Sequence, residues 1–283
     1  REMIWQGKSR VHGPALALLL ALAVTLVASA PASAASDSWT RVGLKGVALS
    51  AVAVAPTNAN ILIAGGGTAA ESDSKPGKVL LYLSANRGKT WTSVAPAIKF
   101  DVIAGWSNVS VPFVVFDPKD ESIVYADIVS SGFEGDLNGG TGLYRSADSG
   151  KTWKLVYEGN VTNLALSPAS PSTLYLAADK GIAPGCYKDP CPTPVAGNGP
   201  EIAKSTDHGL TWKHVTDTQR GEYIVVSPAN ANSLLVGGNS PTDLYLLHTS
   251  SDGGRTWTAL RALDGWIEHP IYDRSGTTLF AAY

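Results

Sequence analysis

The sequence predicts an all-β chain built from repeated four-stranded antiparallel sheets, and three observations carry that expectation. An eight-residue box, Ser-x-Asp-x-Gly-x-Thr-Trp, recurs four times: SANRGKTW at 84–91, SADSGKTW at 146–153, STDHGLTW at 205–212 and SSDGGRTW at 250–257. The box tryptophans Trp91, Trp153, Trp212 and Trp257 are 62, 59 and 45 residues apart, a period that fits one supersecondary unit per repeat. Each box follows three short apolar, β-branched runs and precedes a fourth, the pattern of short strands separated by turns. Four-stranded antiparallel units repeated radially make a β-propeller. Four complete blades and part of a fifth are expected.

The strands follow in order. In the second unit they are 111–116, 123–129, 142–145 and 152–156; in the third, 161–166, 173–178, 201–204 and 211–215. The first and fourth units begin near Val47 and Glu222. Residues 267–272 and 277–282 read as the first two strands of a fifth blade. The segment Trp39-Thr40-Arg41-Val42 echoes the strand that follows each box and reads as an orphan fourth strand. The chain reads as a fragment whose last blade is incomplete, with unpaired strand edges as an aggregation hazard.

Each box reads as the turn between the third and fourth strands. Ser84 and Asn86, Ser146 and Asp148, Ser205 and Asp207, and Ser250 and Asp252 are residues that hydrogen-bond the backbone of their own turn. Gly88, Gly150, Gly209 and Gly254 supply a positive φ, and each Trp an apolar plate between sheets. Every part of the box serves folding.

Composition narrows the function. Of 283 residues, 44% are hydrophobic and 16% charged, and the formal charge is −2. No basic stripe is present, which argues against nucleic acid. Residues 1–34 read as an export signal: Lys8 and Arg10 precede the apolar run ALALLLALAVTLVA at 15–28, followed by Ala32-Ser33-Ala34. The run is shorter than the ~20 residues that span a bilayer, so a membrane is a partner only through an uncleaved leader. The expected organisation is a signal peptide at 1–34 and a propeller at 35–283, secreted or extracytoplasmic. Cys186 and Cys191, the two cysteines, then read as one disulfide closing a tight loop.

The box pattern resembles the Asp-box, or BNR, repeat of sialidases, xyloglucanases, sortilin-type receptors and photosystem II assembly factors. The resemblance runs over roughly 39–283 and implies the propeller fold, while the families that share it differ in ligand. It leaves three functions open. One is a non-catalytic module binding a glycan, peptide or protein. The second is a glycoside hydrolase, xyloglucanase-like or sialidase-like, and the third an assembly or scaffolding factor. The sialidase form is disfavoured: no Arg-Ile-Pro segment occurs, and Arg87, Arg145 and Arg255 fall in or beside the boxes.

Meander topology sets the long loops, near 66–77, 130–141, 179–200 and 239–243, on the rim opposite the boxes, where binding and catalysis concentrate. Asp127, in VYADIVSSG, sits at a strand end and resembles the Asp-Ile of the xyloglucanases, without the Gly-Gly that normally follows. It is the candidate carboxylate for acid–base work. Trp106, Phe133, Tyr187 and Trp266 are candidate ligand-stacking aromatics. Glu134, Asp136 and Asn138 alternate oxygen donors in a Gly-rich loop, as calcium would require; no other cofactor is implied.

Overall fold

Pairing of the apolar runs around each box produces the sheets. The computed structural model describes residues 43–71, 77–98, 108–131, 140–179, 200–216, 223–237, 247–260, 268–276 and 278–282. Blade one comprises β1 (Ala51–Val54), β2 (Leu62–Gly67), β3 (Val79–Ser84) and β4 (Thr92–Ser93), hydrogen-bonded in that order. Blade two has an inner strand in two pieces, β5 (Asn108–Ser110) and β6 (Val114–Phe116), both paired to β7 (Val124–Ser131), then β8 (Gly142–Ser146) and β9 (Lys154–Glu158). Blade three is β10 (Asn160–Leu166), β11 (Leu174–Asp179), β12 (Pro200–Ser205) and β13 (Lys213–Thr216). Blade four is β14 (Tyr223–Ser227), β15 (Asn230–Gly237), β16 (Leu247–Ser250) and β17 (Thr258–Leu260). A further antiparallel pair, β18 (Glu268–Tyr272) and β19 (Leu279–Ala282), follows. The chain is a β-propeller of four-stranded antiparallel blades, with two strands of a fifth.

Several boundaries differ from the sequence reading, and two kinds of difference have a local reason. The expected strand 111–116 is interrupted at Val111-Pro112-Phe113, because Pro112 has no N–H to give the ladder. The outer strands begin later than expected, at Lys154 rather than 152 and at Lys213 rather than 211. In both, the box threonine is still bound into the turn.

Both faces of an interior blade are buried, so alternate residues of one strand serve different neighbours. On β7, Val124, Ala126 and Ile128 pack toward blade one with Ile63, Leu81 and Val111. Tyr125 packs toward blade three with Leu143, Val161, Leu174 and Leu176. Tyr175, Ala177 and Ile202 of blade three meet Ile224, Val226, Leu234 and Val236 of blade four. The box tryptophan of each blade reaches back to the preceding one: Trp153, Trp212 and Trp257 pack on successive interblade clusters. Trp91, in the first blade, lies against Gly43. Close approach also explains the glycine run of β2, where a Cβ on Gly67 would overlap the Val109 carbonyl.

Candidate functional site

The four box turns share one hydrogen-bond scheme. In the second, Gly150 N–H donates to Ser146 Oγ at 2.8 Å, and Ser146 Oγ–H donates to Asp148 Oδ1 at 2.7 Å. Asp148 then accepts from the Thr152 amide at 2.8 Å and the Thr152 hydroxyl at 2.6 Å. The third and fourth boxes repeat this with Asp207–Thr211 and Asp252–Thr256. In the first, Asn86 Oδ1 accepts from the Thr90 amide at 2.9 Å, and Asn86 Nδ2 donates to the Thr90 hydroxyl at 2.8 Å. The amide thus reproduces the scheme with one bond reversed. A feature unexpected from sequence is that the residue before each box glycine is also left-handed: Arg87 (φ 59°), Ser149 (60°), His208 (56°) and Gly253 (76°). The Ser, Asp or Asn, and Thr side chains of each box are committed to their own turns.

Asp127 lies in the middle of β7, not at a strand end, because the strand continues to Ser131 by pairing with β5. Its amide donates to Phe113 O across the break between β5 and β6. Its side chain alternates onto the Tyr125 face, toward blade three. The residue is fully buried, and neither carboxylate oxygen has a hydrogen-bond partner of good geometry among the described residues. Burial therefore pushes its carboxyl up to about 8, offset only in part by the Ile128 amide. An ionised carboxylate in this position would bear the full cost of desolvation, so the group holds its proton at neutral pH.

The sequence reading missed a second polar cluster on the same interblade surface. Glu201, at the start of β12, is 5% exposed and accepts from the Tyr157 hydroxyl of β9. His214 Nδ1 of β13 lies 3.3 Å from its other oxygen. Trp212 stands edge-on to Tyr157, with ring centroids 6.1 Å apart. A glutamate beside Ile202 and Ala203 is the only trace of this cluster in the sequence. The remaining candidates, Trp106, Phe133, Tyr187 and Trp266, the calcium set Glu134, Asp136 and Asn138, the pair Cys186 and Cys191, and the leader at 1–34, lie outside the described residues.

No family model matches the chain. It is 30% identical over 159 residues to a xyloglucanase of Hypocrea jecorina, covering 52% of this chain and 16% of that protein. It is 26% identical over 230 residues to a xyloglucanase of a Paenibacillus species, covering 69% and 20%. The chain thus spans a fifth or less of the length of these two relatives. An ancestral GH74 enzyme superposes with a TM-score of 0.53 at 18% identity, over 82% of this chain and 27% of that one. The GH74 xyloglucanase of Xanthomonas campestris gives 0.50 at 21% identity, over 74% and 29%. These structures share the propeller fold.

Proposed function

We propose that the chain is an Asp-box propeller of the xyloglucanase type, acting on a β-glucan as a glycoside hydrolase with Asp127 as its proton-donating carboxyl. Asp127 is the observation that carries the reading. It is a carboxyl with no hydrogen-bonding partner of good geometry, held protonated near neutral pH by burial, and it belongs to the Asp-Ile pair that resembles the xyloglucanases. The two relatives named xyloglucanase support the substrate class.

In glycoside hydrolysis a protonated carboxyl gives its proton to the departing glycosidic oxygen as the bond from the anomeric carbon breaks. A second carboxylate takes the proton of the attacking water, or attacks the sugar itself. Asp127 meets the first requirement through its raised pKa, and a second carboxylate is required for the other role. An export leader at 1–34 would place this chemistry outside the cytoplasm.

Full burial of Asp127 favours one second reading: a propeller that retains the glycan without cleaving it. Both are tested by incubating the purified chain with xyloglucan, following reducing ends, and measuring retention on a xyloglucan affinity gel. Hydrolysis that falls about 10²–10⁴-fold in Asp127→Asn, with gel retention unchanged, supports the first reading. Retention without turnover selects the second, and neither retention nor turnover overturns both.

A further inference from the structure

A cleft of about 380 Å³ lies between blade three and the box of blade four, lined by Lys204, Lys213, Asn232, Asp252, Gly253 and Arg255. Lys204, Lys213 and Arg255 are cations; Thr206, Thr211, His214, Val215 and Gly254 complete the lining. We propose that this cleft binds a tetrahedral oxyanion of charge near −2, a phosphate or sulfate carried free or as a sugar ester.

The equivalent junction one blade earlier shows what is unusual here. Tyr125 and Arg145 are paired across β7 and β8, as Tyr175 and Lys204 are across β11 and β12. Between blades two and three, Arg145 Nε and Tyr125 Oη both donate to the His208 carbonyl at 2.8 Å. One guanidinium N–H of Arg145 is thereby fixed to the neighbouring blade's turn. Between blades three and four the tyrosine alone finds a carbonyl, Tyr175 Oη to Ala231 O at 2.9 Å. Lys204 stands over the Tyr175 ring at 5.1 Å and gives one hydrogen bond, to Asn232 Oδ1 at 3.3 Å. Gly253 occupies the position filled by His208 in the third box. A Cβ there would come within 2.8 Å of Asn232 Oδ1 and 2.9 Å of Lys204 Nζ, so the bare glycine keeps this pair in place.

Charge then selects the ligand. Among the described residues no carboxylate pairs with Lys204, Lys213 or Arg255. Asp252 is the one carboxylate in the lining, and its oxygens are engaged by Ser250 and Thr256 within the turn. Those hydrogen bonds, that of the Thr256 hydroxyl first, hold it well below the usual carboxylate range. His214, also in the lining, is already matched to Glu201. Three cations against one anion leave an excess of two positive charges, which a dianion neutralises. Burial lowers the pKa of half-buried Lys204, and the nearby Arg255 charge lowers it further. Ammonium and guanidinium donors in a partly desolvated cleft suit phosphate and sulfate oxygens.

The proposal stands apart from the hydrolase reading, since it uses no residue of the Asp127 region. Calorimetric titration of the full chain with inorganic phosphate and with glucose 6-phosphate, at ionic strength fixed with sodium chloride, tests it. Saturable one-site binding, weakened about tenfold or more in both Arg255→Gln and Lys213→Gln, is expected; both side chains are exposed, so the fold is retained. Tighter binding of the ester assigns the site to a modified sugar, and tighter binding of the inorganic ion assigns it to the free anion; either supports the proposal. Heats indistinguishable from added chloride, or affinities unchanged in both variants, overturn it.

Discussion

Arg145 of blade two donates its Nε–H to the carbonyl of His208, a left-handed residue of the blade-three turn, at 2.8 Å. Tyr125 donates to the same oxygen at the same distance. Both lone pairs of one carbonyl are thus taken by the neighbouring blade. Removing one donor leaves the oxygen bound by the other, whereas removing both leaves it without either. Tyr125→Phe and Arg145→Met should each cost about 1 kcal/mol. The double variant should lose more than their sum, with a coupling of about 1 kcal/mol in urea denaturation. Strict additivity would show the two bonds to be independent.

Gly150 tests the turn itself. Its φ is +86°, and a Cβ would overlap Ile63 Cδ1 of blade one. Gly150→Ala combines left-handed strain with overpacking of a buried contact, each about 1–3 kcal/mol. A midpoint shift equivalent to about 2–4 kcal/mol is expected from chemical denaturation. An unchanged midpoint would mean that Ile63 yields to the added methyl and that the turn tolerates alanine at this φ.

Asp127 gives the fold a pH dependence of definite sign. Its carboxyl moves from 3.8 in the unfolded chain to about 8 in the folded one. Below pH ~4 both states hold the proton and the group contributes nothing. Between these values the unfolded chain has released a proton that the folded chain keeps, so stability falls as pH rises, by up to ~1.4 kcal/mol per unit. Asp127→Asn should abolish this slope. Wild type should lose about 2 kcal/mol or more relative to the variant between pH 5 and pH 8, read from denaturation curves at three pH values. Parallel curves would place the ionised carboxylate in a solvated setting.

The box carboxylates act in the opposite direction. The Thr211 hydroxyl, then the Thr211 amide, lower Asp207 to about 2. Its contribution is complete above the unfolded value near 3.8 and is lost as pH falls toward 2. Solvent screens this exposed group, so the effect should be only a few tenths of a kcal/mol. Asn86 already performs the role with an amide in the first box. Asp207→Asn should therefore match wild type at pH 7 and exceed it at pH 2.5 in thermal melts. A clear loss at pH 7 would show that the third turn needs the charge itself.

The blades were legible in the sequence because Ser, Gly and Trp at fixed spacing perform local tasks, and local tasks leave local signatures. The break at Pro112 was not expected, although a proline inside a strand interrupts its ladder. The left-handed residue ahead of each box glycine was not legible, because Arg87, Ser149 and His208 share no chemistry that announces a positive φ. Asp127 stood out through the Asp-Ile pair it forms with Ile128, yet nothing local announced that it would be fully buried. Glu201 with Tyr157, and Lys204 with Arg255, join different blades. Which charges meet across a blade junction is decided by packing over 44 and 51 residues of sequence, and no spacing rule records it.

Among the described residues, each apolar cluster is shared by consecutive sheets. The last cluster is small, with Leu235 and Leu247 as its buried members, while Ile271 and Phe280 of the final strand pair are 59% and 57% exposed. Opening energy should therefore be graded along the chain, as in a stack that peels from its ends. Amide deuteration should run fastest in β18 and β19 and slowest in β7 and β11, and limited proteolysis should remove whole sheets from the carboxyl-terminal side before it cuts within the middle ones.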